Sequence, residues 1–202
     1  ATGADYGACY AASGSCRELS TQSYHTPGRS CLEQGGIFVP NTSCGTMPST
    51  LNFDVQNGHY TGNWVINEQD GITTLTQPPS DPKARGFKTQ QEVDRAVAWI
   101  NKQSGDKPWM LTIGLSAIHE PVQQSPADLV SSDAPPTDGY DCLNSDAQRR
   151  ELATQMVEAI DHEVGRLLVE TNLATYNSDG TLNYQPETTN TYVVFTSDNG
   201  TW

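Results

Sequence analysis

The stretch Val193-Val194-Phe195-Thr196-Ser197-Asp198-Asn199-Gly200 decides the fold. An apolar run rich in β-branched and aromatic residues stops at an acid, an amide and a glycine. That is the pattern of a buried parallel strand delivering polar side chains to the carboxyl edge of a sheet, where open α/β folds place their sites. Asp198 offers a carboxylate and Asn199 a neutral carbonyl oxygen, hard donors suited to Ca²⁺ or Mg²⁺. Gly200 allows a sharp turn after them. Asp-Asn-Gly is also ordinary turn chemistry, so the stretch needs support from the rest of the chain.

That support begins with a second strand of the same kind. After Pro108, Trp109 to Leu115 is nearly all apolar and runs into Ser116-Ala117-Ile118-His119-Glu120-Pro121. A helix is expected before it, with Thr89 and Glu92 spaced as a capping box and Val93, Ala96, Val97 and Ile100 forming one apolar stripe. A longer helix is expected over 146–170, where Leu152, Met156, Ile160, Val164, Leu167 and Leu168 recur at helical spacing. Helix, strand, helix, strand is the grammar of a mostly parallel α/β sheet flanked by helices. The strands 109–115 and 192–196 are then expected to lie parallel, bringing His119, Asp198 and Asn199 to one edge. Trp64-Val65-Ile66 and Ile72 to Leu75 read as a hairpin or a strand–turn–strand.

Residues 1–58 read as an irregular, cysteine-rich region, with only Gly36 to Pro40 (Ile37-Phe38-Val39) hinting at a short strand, and 59–202 as the partial α/β domain. Cys9, Cys16, Cys31 and Cys44 stand among Gly, Ser, Thr and Pro, a composition that needs covalent staples. Zinc competes with disulfides here, but no C-x-x-C pair is present. Four cysteines allow three pairings, which the sequence leaves open, and Cys142 is the odd one. Disulfides imply an oxidising home: secreted, periplasmic or extracellular. Asn41-Thr42-Ser43 and Asn199-Gly200-Thr201 fit the glycosylation sequon, a frequent chance pattern. Over 202 residues, 24 acids against 11 bases give a net charge of −13, which disfavours nucleic acid and anionic membranes as partners. No stretch reaches the ~20 apolar residues of a membrane span, and no signal peptide is visible. The chain begins at Ala1 without Met, as a processed or truncated N-terminus would.

Four ordered stretches resemble one family. Lys107-Pro108-Trp109-Met110-Leu111 leading to Ile118-His119-Glu120-Pro121 is similar to the sulfatase run in which "KPFFL" precedes "PHxP". Met156 to Leu168 resembles its "MVEALDxEVGRLL" helix, and Val194 to Gly200 its "VIFTSDNG" strand and metal corner. His59-Tyr60-Thr61 and the helix bearing Ala98-Trp99-Ile100 match in order. The resemblance is to the sulfatase branch of the alkaline phosphatase superfamily. It implies an alkaline-phosphatase-like fold and hydrolysis of the sulfate ester of a small molecule or carbohydrate at a Ca²⁺ (or Mg²⁺) site. It further implies Asp198 and Asn199 as metal ligands and His119 as the catalytic residue touching the sulfate or assisting the leaving group. Asp161, His162 and Arg166 would be structural, and Glu120 a solvated neighbour.

The departures are equally specific. The family's nucleophile is a formylglycine made from Cys or Ser in C/S-x-P-x-R, and no residue here stands in that motif. Tyr24-His25-Thr26-Pro27-Gly28-Arg29 has its shell, but His25 occupies the nucleophile's place; Cys44-Gly45-Thr46-Met47-Pro48 has its proline one place late and no arginine. The paired N-terminal acids of the metal site and the lysine-bearing "KWHLG" stretch are also missing. The expectation is therefore an internal segment of a longer sulfatase, inactive alone, its nucleophile elsewhere. The alternatives are a non-catalytic secreted binding or structural protein, or a phosphoester or phosphonate hydrolase on the same scaffold.

Overall fold

The computed structural model describes residues 6–22, 27–67, 71, 73–78, 81–103, 105–135, 137 and 145–197, apart from the side chains of 54, 55 and 82. Asp198, Asn199 and Cys142 lie outside the described residues.

The N-terminal region, expected to be irregular apart from a short strand at Gly36–Pro40, is a small ordered unit in which that strand is present. Strands β1 (Tyr6–Ala11), β2 (Cys16–Ser20) and β3 (Gly36–Pro40) form an antiparallel sheet in the order β2-β1-β3, with helix α1 (Pro27–Glu33) between β2 and β3 in sequence. Alanine, glycine and cysteine give β1 little strand propensity, which is why its sequence reads as coil. Covalent bonds compensate. Cys9 on β1 bonds to Cys31 on α1, and Cys16 on β2 bonds to Cys44 beyond β3. Leu19 and Phe38 pack with Cys9 and Cys31. Gly36 is required here, because a Cβ on it would stand 2.5 Å from the Cys9 sulfur and 2.8 Å from that of Cys31.

A short helix, α2 (Phe53–Gln56), leads into the hairpin of β4 (Trp64–Asn67) and β5 (Thr74–Gln77), antiparallel as expected. Helix α3 (Lys88–Ile100) fastens it: the Arg95 guanidinium lies 4.9 Å from the Trp64 ring centre and donates to Gln77 Oε1 at 2.9 Å. Helix α4 (Asp146–Glu170) occupies the span expected of it. It buries Leu152, Met156, Ala159 and Leu168, while Ile160, Val164 and Leu167 are half-buried. Burying a side chain such as Leu152 or Met156 is worth about 1.5–3 kcal/mol. With Tyr60, Phe87, Ala117, Val122 and Leu129, the first three of these α4 residues form the central core. Arg166 joins α3 to α4 through Asp94 at 2.8 Å and the buried Glu163 at 2.5 Å, so its role is structural as expected. A last hairpin, β6 (Ala174–Tyr176) and β7 (Leu182–Tyr184), precedes helix α5 (Pro186–Thr189).

The parallel sheet is not present among the described residues, where every strand pair is antiparallel. Residues 109–115 and 191–197 belong to no helix or strand. Many of their apolar side chains are open to solvent: Met110 is 86% and Tyr192 95% exposed, and Val194 and Phe195 are exposed as well, while Leu111, Ile113 and Leu115 are half-buried. Apolar composition marks a segment for burial on two faces but does not supply the neighbouring strands that close a ladder.

Candidate active site

His119 sits on the loop 116–121, and three elements hold that loop. From α3, Glu92 accepts the Ser116 amide at 2.8 Å and the Ser116 hydroxyl. This corrects the expected capping box: α3 begins at Lys88 after Phe87, Thr89 Oγ1 is buried without a partner, and Glu92 serves the loop instead. From α4, Arg149 pairs with Glu120, which is therefore an anchored residue and not merely a solvated one. From the turn before β4, His59 Nε2 meets the carbonyl of His119 at 2.8 Å.

Inside the loop, the His119 amide donates to Ser116 O at 3.1 Å, and Ile118 takes a left-handed φ of 66°. A β-branched residue there is strained by roughly 1–3 kcal/mol, strain that persists where surrounding contacts over-determine the backbone. The Glu120–Pro121 peptide bond is cis. The His119 ring is exposed, and its Nδ1 lies 2.7 Å from the Glu120 carbonyl. A ring nitrogen facing a carbonyl must carry the hydrogen, which leaves Nε2 as the acceptor nitrogen of the neutral ring.

His59 differs in kind. It is 3% exposed, its amide donates to Gln123 Oε1 at 2.8 Å, and its carbonyl accepts from the Lys88 amide at 2.8 Å. Burial lowers its pKa below the ordinary histidine value, the charges of Lys88 and His119 push the same way, and the bond to the His119 carbonyl partly opposes them. Sequence reading placed His59 in a matching triplet without giving it a task, and it passed over Glu92 and Arg149 as supports. Behind the loop, Val122 to Pro126 is buried in a polar layer. Gln155 Nε2 donates to Pro135 O at 2.7 Å and its Oε1 accepts from Thr137 at 2.9 Å, while Gln124 donates to Thr137 at 3.1 Å.

Among the described residues, no three His, Cys, Asp or Glu side chains converge as metal ligands. Those residues do not by themselves make a Ca²⁺ site, which takes six or more oxygens. Gln90, Asp94, Asp128, Glu163 and Arg166 line a separate concavity beside α3 and α4, with Arg166 already engaged by three carboxylates.

The sulfatase family model matches residues 42–201, and the chain belongs to the sulfatase family. No curated protein and no solved structure matches it. At the level of the family, the activity is hydrolysis of sulfate esters and the fold is alkaline-phosphatase-like α/β.

Proposed function

We propose that this chain forms part of a sulfatase acting on a sulfated small molecule or carbohydrate outside the cytoplasm. His119 touches the sulfate or the ester oxygen, and the nucleophile comes from a segment outside these 202 residues. The observation that carries the reading is the match over 42–201 joined to an exposed His119 on a loop fixed from three sides. With Nδ1–H spent on the Glu120 carbonyl, Nε2 of the imidazolium is free to donate to the leaving oxygen. Asp198 and Asn199 would supply two oxygens to a Ca²⁺ or Mg²⁺, which polarises the sulfate and offsets its charge when bound. The strands 109–115 and 192–196 would then lie parallel in a completed sheet, placing those residues beside His119. Two disulfides support an oxidising compartment. No helix among the described residues is long and apolar enough to cross a membrane.

The test is turnover of an aryl sulfate by the full natural polypeptide. His119→Ala is expected to lower kcat about 10²–10⁴-fold, the usual contribution of a general acid. Wild-type kcat in that variant would remove His119 from the reaction. The absence of C/S-x-P-x-R from these residues favours a second reading, a non-catalytic protein on the sulfatase scaffold. It predicts a natural polypeptide that binds sulfated ligands without turning them over.

A further inference from the structure

Glu92 and Arg149 act at the two ends of the His119 loop, whereas His59 acts on the residue itself. We propose that His59 is a positioning residue for His119: its Nε2–H, offered from a buried turn to the His119 carbonyl, sets the orientation in which the His119 imidazole meets substrate. The proposal rests on the reading of His119 as the substrate-contacting residue.

Three observations lead there. His59 is fixed before it touches the loop, through its amide on Gln123, its carbonyl on Lys88 and its ring 6.4 Å from that of Phe87. Its Nε2 faces a carbonyl and so carries the hydrogen, while its Nδ1 is buried without a hydrogen-bond partner. A buried, unpaired ring nitrogen is a cost that a leucine or phenylalanine filling the same space would avoid. What the imidazole supplies here, and an apolar side chain cannot, is the Nε2–H. Lastly, the accepting carbonyl belongs to the peptide unit joining His119 to Glu120, and the next carbonyl, that of Glu120, holds His119 Nδ1 at 2.7 Å. Holding that peptide holds the His119 Cα and the Glu120 Cα on either side of it, and so steadies the approach of the His119 ring to the Glu120 carbonyl that sets its tautomer. A slip of about 1 Å in such a group lowers turnover by as much as 10²-fold.

The test uses the full natural polypeptide with p-nitrophenyl sulfate, comparing wild type with His59→Ala, His59→Gln, His119→Ala and the double variant His59→Ala/His119→Ala. His59→Ala is expected to lower kcat about 10–100-fold with KM within about twofold. His59→Gln, whose amide can donate to the same carbonyl, should recover most of the loss and also serves if His59→Ala does not fold. In the His119→Ala background, His59→Ala should cost nothing further, since the two act as one unit. Wild-type kcat in His59→Ala, or an equal loss with and without His119, overturns the proposal. A readout independent of turnover separates this from the catalytic reading: the ¹⁵N spectrum of the His119 ring should show the Nδ1–H tautomer in wild type and a mixture in His59→Ala. An unchanged His119 tautomer overturns the positioning role, whereas wild-type kcat in His119→Ala with a changed tautomer sinks only the catalytic one.

Discussion

At the scale of single residues, Ile118 concentrates the tension of the site. Its φ of 66° suits glycine or asparagine, and its side chain is partly exposed, so the backbone is held by the Glu92, Arg149 and His59 contacts and not by its own preference. Ile118→Asn should raise stability by roughly 0.5–1 kcal/mol, measured as a shift of the urea midpoint, because asparagine tolerates the left-handed region. A destabilisation of similar size would show that the isoleucine side chain matters more than its strain. His59 makes a second residue-scale prediction. Its folded pKa is lowered, so the unfolded chain binds the extra proton. Its contribution to stability is complete above the unfolded value of about 6.5 and is lost as pH falls through the folded one. His59→Gln should flatten that acid limb of the stability profile; an unchanged limb would assign it to other groups.

Elements differ in how much of them could be read in advance. Helix α4 was legible because 25 residues of unbroken helical periodicity outweigh any single contact. The stripe of α3 was legible too, but its cap was not. Glu92 has the right spacing for a capping box, yet the Ser116 amide and hydroxyl claim its carboxylate from elsewhere in the fold. β1 was illegible for the opposite reason: Gly7, Ala8 and Cys9 carry almost no strand signal, and disulfides fix what propensity does not. His119 could be placed by its motif, but nothing local marks His59 or Arg149, whose tasks arise only when the loop is folded against them. Asp198 and Asn199 remain expectations carried by the motif. Two predictions belong at this scale. Arg166→Ala strands the carboxylate of Glu163, 1% exposed between α3 and α4, and should cost about 3 kcal/mol in urea unfolding. Gln155→Leu keeps the volume but leaves Pro135 O without its side-chain donor and the Thr137 hydroxyl without its acceptor, and should cost about 1–3 kcal/mol. Near-neutral values would mean that water replaces the lost groups.

For the whole molecule, the unpaired apolar segments dominate behaviour. Met110, Tyr192, Val194 and Phe195 expose side chains that a folded domain normally buries, and such patches drive association. The 202-residue chain studied by itself should therefore associate with rising concentration in sedimentation experiments. Phe195→Asp should weaken that association, since a charge in an apolar segment opposes edge-to-edge pairing. A monomer across the range, or an effect absent in the variant, would locate the driving surface elsewhere.

The pairing of cysteines has a consequence of another kind. The bonds Cys9–Cys31 and Cys16–Cys44 interleave along the chain, the second opening inside the span of the first and closing beyond it. A protease that cuts once anywhere between Cys9 and Cys44 therefore releases nothing: the two pieces stay joined by at least one bond, and the chain gains only a water. On a non-reducing gel the nicked and intact proteins run together, and they part only when a reductant is added. The N-terminal sheet is in this sense a link that a single hydrolytic event cannot open, a useful property in surroundings rich in peptidases.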